Sequence, residues 1–235
     1  MILALHDIVV QRDGWSVRAD ARFAEGIHLV TGRVGSGKST LAHLLAGSVV
    51  PETGRTVSEG ITSVQIGLQF PEHQVTAATV AGEIRSWGLD PQVIMPETAL
   101  TDKSGVNPLL LSGGELRRLE LACVLRKDPD LLLLDEPFSS LDCREKNALC
   151  LRIENRNRGI TIIFSHETWH LPRIDNLWEI VNGTLENRGT IPDALTRWTG
   201  APPLLRRLII SRMDAGDGEV TRSGCRMLDS VFSQQ

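Results

Sequence analysis

Features typical of secreted, membrane-spanning and nucleic-acid-binding proteins are scarce in this sequence. Four cysteines among 235 residues, without C-x-x-C spacing, are too few for a disulfide framework and favour a reducing compartment. The longest strongly apolar stretches, such as 160–164, have the length of a strand, whereas a membrane-spanning helix needs about 18 consecutive apolar residues. Lysine and arginine number 25 against 29 aspartates and glutamates, so the net charge of −4 does not favour nucleic acid as a partner. Residues 1–10 lack the basic start of a signal peptide, and none is expected.

The rest of the composition predicts one globular domain with a buried core, because 41% of the residues are hydrophobic and 23% are charged. We assign residues 1–200 to this domain. The tail 201–235 has one apolar cluster, at 204–210, followed by Gly-, Ser- and Asp-rich sequence, and we expect it to be partly disordered. Strand-length apolar runs alternate with helical stretches, which predicts an α/β fold with a mainly parallel core sheet. Residues 1–10 and 15–23 read as strands joined by a turn, which predicts an antiparallel β-subdomain at the start.

The predicted elements follow from apolar periodicity and from turn residues. The predicted strands are 1–10, 15–23, 26–31, 55–58, 63–68, 130–135, 160–165 and 177–182. The predicted helices are 41–46, 79–87, 114–127 and 142–157. Residues 75–126 are expected to form an inserted helical subdomain. Irregular chain is predicted around its helix breakers Pro91, Pro96, Gly105 and Pro108.

A glycine-rich loop follows the predicted strand 26–31 and matches the pattern G-x-x-x-x-G-K-[ST]. It consists of Gly32, Arg33, Val34, Gly35, Ser36, Gly37, Lys38, Ser39 and Thr40. In such a loop the backbone N–H groups and the helix N-terminus surround phosphates. Lys38 is then expected to reach the β- and γ-phosphates, and the Ser39 hydroxyl to bind Mg²⁺. The alternative is a glycine-rich turn without a ligand, but the strand before the loop and the helix after it favour phosphate binding.

A run of four leucines ends in two acids, Asp135 and Glu136. A buried strand would deliver both carboxylates to the carboxyl edge of the sheet, where ligands bind in α/β proteins. With a phosphate loop upstream, Asp135 is predicted to lie on the Mg²⁺ side, and Glu136 to polarise the attacking water. The alternative is an ordinary core strand with an acidic end.

A third motif, L-S-G-G-E, lies between the first two. Ser112 is a good helix N-cap, while Gly113 and Gly114 expose the amides of a helix start to an anion. Alone, this would favour a simple helix cap. Together with the other two motifs it resembles the signature sequence of ATP-binding-cassette (ABC) ATPases.

The resemblance covers about residues 1–190 and implies a P-loop NTPase fold of the ABC type that binds ATP and Mg²⁺ and hydrolyses ATP. In that family, the signature of one subunit closes over ATP held by a second subunit, so a homo- or heterodimer is implied. Gln69 matches the glutamine that contacts Mg²⁺ and senses a membrane partner. Asp142 ends a loop that communicates across the dimer, and His166 matches the histidine that contacts the γ-phosphate.

The segment 67–74, G-L-Q-F-P-E-H-Q, resembles the ATPases of energy-coupling-factor importers, which take up vitamins or metal ions such as cobalt and nickel. This resemblance implies integral membrane transporter subunits as partners and a location at the cytoplasmic face of the cell membrane, with no nucleic acid. The alternative is a soluble ABC ATPase that acts mechanically on nucleic acid or a protein complex. Against it stand the absence of a long coiled-coil insertion and of any basic excess.

Two positions depart from the family pattern. The family often stacks adenine on a tyrosine, but this sequence contains no tyrosine, which leaves Trp15 and Arg12 as candidates. Glu115 stands where the family often has glutamine, and it would bring negative charge towards the ATP of the partner.

The stretch from His166 to His170 also fits H-E-x-x-H, the pattern in which two histidines on one helix bind zinc. His166 directly follows a predicted strand, and Pro172 limits any helix. We therefore interpret His166 as the phosphate-contacting histidine rather than as a zinc ligand.

Overall fold

The computed structural model describes residues 1–12, 14–156 and 158–201. Within these ranges the backbone forms a nine-stranded sheet with helices on both faces, and the predicted α/β class is confirmed. The strands are β1 Ile2–Arg12, β2 Trp15–Ala24, β3 Gly26–Gly32, β4 Thr53–Glu59, β5 Val64–Gly67, β6 Leu131–Asp135, β7 Ile160–Phe164, β8 Asn176–Val181 and β9 Thr184–Thr190. The helices are α1 Lys38–Leu45, α2 Val80–Ser86, α3 Pro91–Glu97, α4 Gly113–Arg126, α5 Cys143–Glu154 and α6 Ala194–Arg197. The prediction about disorder in the tail 201–235 concerns residues that, apart from Ala201, lie outside the described ranges.

The parallel part of the sheet positions the functional motifs. Its strands run in the order β8-β3-β7-β6-β5, all parallel to their neighbours. Every residue of β6 and β7 is buried, as expected for parallel strands that are covered on both faces. Helix α1 packs with one face of the sheet, and α4 and α5 pack with the other. The ends of β3, β6 and β7 therefore meet at one edge.

The antiparallel strands join this core instead of forming a separate sheet. Strand β1 pairs with β2 and β4, and a single parallel pairing, between Arg18 and Thr184, links β2 to β9. Strand β9, which the sequence did not predict, continues the sheet as the antiparallel neighbour of β8. Its residues are polar and carry no clear alternation, so its formation depends on a hairpin partner.

Helices α2, α3 and α4 share a small apolar cluster of their own, whose members include Val80, Ile84 and Ile94. The prediction of irregular chain around Pro91 and Pro96 was wrong, because α3 occupies this stretch. Pro91 is the first helical residue, where its missing N–H costs nothing, and the Asp90 side chain caps the backbone N–H of Gln92.

None of the helices in the described part of the chain is long and apolar enough to cross a membrane.

Candidate functional site

The glycine-rich loop leaves the end of β3 and enters α1 at Lys38. The Lys38 ammonium folds back and donates hydrogen bonds to the carbonyl oxygens of Gly32 (3.0 Å) and Arg33 (3.2 Å). At Gly37 the backbone φ is +101°, and a Cβ would lie 2.2 Å from Cγ2 of Val17 and 2.9 Å from Cζ3 of Trp15. Only glycine fits there, and the loop is packed directly against β2.

Two polar atoms in this region are buried without a hydrogen-bond partner among the described residues: Oγ of Ser36 and Oδ1 of Asp135. Leaving such buried atoms without a partner costs free energy, unless a ligand supplies the missing hydrogen bond or coordination bond. Burial raises the pKa of Asp135, and a hydrogen bond from Ser39 counteracts the shift. The hydroxyls of Ser36 and Ser39 and the Asp135 carboxylate are oxygen donors of the kind that Mg²⁺ and phosphate groups require. The donor set therefore fits Mg²⁺ bound with a phosphate ligand.

The Glu136 carboxylate lies at the end of β6, in a backbone conformation with φ of +46°. It accepts hydrogen bonds from the hydroxyl of Ser165 (3.0 Å) and the backbone N–H of His166 (3.2 Å). Nδ1 of His166 lies 2.8 Å from Oε1 of Glu136, and Nζ of Lys38 lies 3.8 Å from the same oxygen. The structure thus brings three predicted site residues together.

Gln69 follows β5, next to β6, and side chains fix the turn that contains it. The amide of Gln74 accepts from the N–H of Leu68 (3.1 Å) and donates to the carbonyl of Ile66 (2.8 Å), which closes the 67–74 segment. Arg117 donates to the carbonyl oxygens of Leu68 and Gln69. No role was predicted for the side chains of Gln74 and Arg117, because the sequence does not show which backbone atoms a side chain will bond.

Ser112 caps α4 in a reciprocal arrangement with Glu115, in which each side chain bonds the backbone of the other. Lys103 lies 2.5 Å from Glu115, and this hydrogen bond, with those from Ser112, lowers the pKa of Glu115 to about 2. Glu115 is therefore charged at neutral pH, but its charge is paired within its own subunit.

A Cβ on Gly114 would lie 3.0 Å from the carbonyl oxygen of Ser140, so the signature turn packs on the loop that ends at Asp142.

The structure places the other predicted residues as follows. The Asp142 carboxylate caps α5 by accepting from the N–H of Glu145 (2.8 Å). Trp15, 39% exposed, lies against the phosphate loop at Gly37, and Arg12 is exposed opposite it across the β1–β2 pairing. Their interactions with nucleotide remain predictions.

The zinc pattern is not realised as a helix. Residues 165–175 form extended chain and bends, so His166 and His170 do not share a helix face. Across the described ranges, no group of three or more histidine, cysteine or acidic side chains could hold a metal ion.

The phosphate loop at the end of β3, with two carboxylates at the end of β6, defines the class of P-loop nucleotide-binding proteins. A family model described as "ABC transporter" matches residues 23–139. The energy-coupling factor transporter ATP-binding protein EcfA1 of Thermotoga maritima is 31% identical over 84% of this chain and 85% of its own length. The biotin transport ATP-binding protein BioM of Rhodobacter capsulatus is 29% identical over 85% of this chain and 95% of its own.

Solved structures agree on the fold. An ATP-binding subunit of an ABC transporter superposes with a TM-score of 0.69 at 20% identity, covering 91% of this chain and 100% of that chain. A bacterial Atm1-family ABC exporter with ATP bound gives a TM-score of 0.71 at 23% identity. This chain spans 42% of that exporter chain and matches it over 90% of its own length. The chain belongs to the ABC transporter family as an ATP-binding subunit, and the proteins of this family hydrolyse ATP.

Proposed function

We propose that this chain powers an energy-coupling-factor-type importer of metal ions or vitamins by ATP-dependent closure of an ATPase dimer. The observation that carries the chemistry is the convergence of Lys38, Glu136 and His166 at the edge of the sheet where the phosphate loop lies. The importer type is supported by the 67–74 segment and by the similarity to EcfA1 and BioM.

In the proposed site, the amides of the 32–37 loop and the Lys38 ammonium bind the ATP phosphates. The residues that would hold Mg²⁺ are Ser39, Asp135 and Gln69, and the ion would neutralise charge on the phosphate oxygens. The unpaired Oδ1 of Asp135 supports this assignment, since it is an anionic oxygen that lacks a partner within the described protein. Lys38 would exchange its two carbonyl contacts for phosphate oxygens.

Hydrolysis transfers the γ-phosphoryl group to water. The water oxygen bonds to phosphorus, the bond from phosphorus to the bridging β–γ oxygen breaks, and ADP leaves with that oxygen. Glu136 orients the water and accepts its proton, while His166 contacts the γ-phosphate. Both residues are already in contact with each other, so they can act as one unit once ATP is bound.

Dimer formation would complete the site. Ser112, Gly113 and Gly114 would face the ATP of a second ATPase subunit, with Asp142 at the end of the adjoining loop. Membrane transporter subunits would be bound at the cytoplasmic face of the membrane, and Gln69 would report their conformation to the site.

The test is recovery of the tagged full chain from gently solubilised native membranes, followed by identification of its partners and by an uptake assay in cells. The proposal expects a stoichiometric polytopic membrane protein, and uptake of a vitamin or metal ion that fails when the chain carries Lys38→Ala. Recovery only from the soluble fraction, with unchanged uptake, would contradict the importer and would favour a mechanical ATPase. As a matched control, Lys127→Ala removes a lysine from the far end of α4 and should leave both results unchanged.

A further inference from the structure

Arg117 is a buried charged residue for which the proposed chemistry has no direct use. It lies on α4 and is only 1% exposed. Its guanidinium donates to the carbonyl of Leu68 (2.6 Å), to the carbonyl of Gln69 and to the hydroxyl of Ser139 (3.0 Å). One side chain thus binds two loops that lie far apart in the sequence.

Burying this charge is costly, and the protein compensates for it only in part. Glu120 pairs with Arg117 at 3.1 Å, yet Nε of Arg117 and Oε1 of Glu120 have no partner within the described residues. Burial raises the pKa of Glu120 to about 7, although the guanidinium favours its charged form. Apolar side chains would often fill such a volume at lower cost. The contacts to the two loops are therefore a better reason for an arginine here than stability is.

The contact with Ser139 leads on to Glu136. The Ser139 hydroxyl accepts from Arg117 and donates to the carbonyl oxygen of Glu136 (2.9 Å). The backbone N–H of Ser139 also donates to that carbonyl, at 3.2 Å. Glu136 has a φ of +46°, a conformation that non-glycine residues rarely adopt and that its surroundings must hold.

We propose that Arg117 is a positioning residue that fixes Gln69 and, through the Ser139 hydroxyl, Glu136 relative to each other. The inference rests on the proposed function, because it takes the roles of Gln69 and Glu136 from it. It adds that hydrogen bonds through Arg117 and Ser139 connect the Gln69 turn, which is expected to sense the membrane partner, to Glu136, which is expected to act on water.

The physical consequence is a selective loss of rate. Without the Arg117–Ser139 link, Glu136 and Gln69 can shift independently, and a misplacement of about 1 Å can cost about 100-fold in rate. Arg117 makes no contact with residues 32–40 among its hydrogen bonds and ion pairs, so ATP affinity should change little. A residue with a purely structural role would instead lower stability and leave the rate of the folded protein unchanged.

The experiment compares Ser139→Ala, Ser139→Thr and Arg117→Met in the purified full chain. It measures kcat, KM, ATP binding and thermal unfolding. We expect kcat to fall about 10- to 100-fold in Ser139→Ala and Arg117→Met with KM changed less than about threefold, and Ser139→Thr to restore kcat because it keeps the hydroxyl. The double variant Arg117→Met/Ser139→Ala should have a kcat no lower than that of Arg117→Met alone, because both substitutions break the same chain of hydrogen bonds. Arg126→Ala, on the same helix but paired with Glu97, is the control and should keep the parental kcat.

The outcomes separate this inference from the proposed function. If Glu136→Gln abolishes hydrolysis while Ser139→Ala keeps the parental kcat, the positioning role is wrong and the proposed chemistry stands. Additive losses of kcat in the double variant would also overturn the positioning role of Arg117. If the parental chain does not hydrolyse ATP, or if Glu136→Gln hydrolyses it normally, the proposed function fails first and this inference fails with it. Should Arg117→Met not fold, the two Ser139 variants decide the matter.

Discussion

Glu136 and His166 form a two-point contact: Oε1 of Glu136 lies 2.8 Å from Nδ1 of the His166 ring and accepts the backbone N–H of the same residue at 3.2 Å. Because a carboxylate only accepts hydrogen bonds, Nδ1 carries the proton and Nε2 is left as an acceptor in the neutral ring. The His166 side chain is 62% exposed, whereas that of Glu136 is 9% exposed. The contact therefore joins a solvent-exposed imidazole ring to a largely buried carboxylate.

We predict that Glu136→Gln removes most ATP hydrolysis and keeps ATP binding. An amide cannot accept the proton of the attacking water, and loss of a general base costs about 100- to 10,000-fold in rate. Phosphate release and nucleotide binding, measured on the same preparation, test the prediction. Glu59→Gln, at the exposed edge strand β4, is the matched control and should hydrolyse ATP at the parental rate. Near-normal hydrolysis in Glu136→Gln would assign the base to another group.

We predict that Trp15→Ala weakens ATP binding about 3- to 10-fold, because the Trp15 indole packs directly against the phosphate loop at Gly37 and offers an aromatic surface for adenine. Trp15→Phe should recover most of the affinity. Titration with a fluorescent ATP analogue measures the effect, with Arg22→Ala, exposed on the same strand, as control. If Arg12→Ala weakens binding and Trp15→Ala does not, the guanidinium is the group that stacks on adenine.

Acid should destabilise the fold through His28. Its ring is buried beside Phe23 and accepts from Nε1 of Trp178 (3.3 Å), while Nε2 donates to the carbonyl of Ala24 (2.8 Å). Desolvation by burial lowers the pKa of His28 below 6.5, so the unfolded chain binds a proton before the folded chain does. Stability that is fully present above pH 6.5 is therefore lost as the pH falls towards the lowered pKa, with a slope approaching about 1.4 kcal/mol per pH unit.

Denaturant unfolding between pH 7.5 and 5 measures this slope. His28→Gln should be less stable at neutral pH but should show a flatter pH dependence than the parent. His6→Gln changes an exposed histidine on β1 and should keep the parental slope. An unchanged slope in His28→Gln would show that other groups cause the acid sensitivity.

Glu83→Gln should destabilise the helices α2, α3 and α4, which share the small apolar cluster around Val80 and Ile84, by about 1–3 kcal/mol. The buried Glu83 carboxylate accepts from the backbone N–H groups of Thr76 and Ala77, both at 2.8 Å, and from Nε1 of Trp87 at 3.0 Å. An amide offers one oxygen and turns an N–H₂ group towards the remaining donors. Thermal and denaturant unfolding measure the loss, and Glu72→Gln, which is exposed, is the control. A loss below about 0.5 kcal/mol would mean that the site relaxes around the amide.

The parts of the molecule that were predictable are those whose signal is local. Glycine spacing after an apolar strand indicates the phosphate loop, and four leucines before two acids indicate β6 with its carboxylates. Strand β9 carries no such signal, because its polar residues become a strand only by pairing with β8. Helix α3 was missed because Pro91 and Pro96 read as breakers; the first turn of a helix tolerates Pro91, and Pro96 lies inside the helix one residue before its end.

The family, the fold class and the identity of the residues at the phosphate loop and at the end of β6 follow from local sequence patterns. Backbone conformation and residue spacing over a few positions set these features. Long-range packing sets three contacts that no local pattern predicts: His166 with Glu136, Trp15 with the phosphate loop, and Arg117 with both the Gln69 turn and Ser139. These contacts link positions far apart in the chain, and they exist because strand pairing and the packing of α4 bring those positions together.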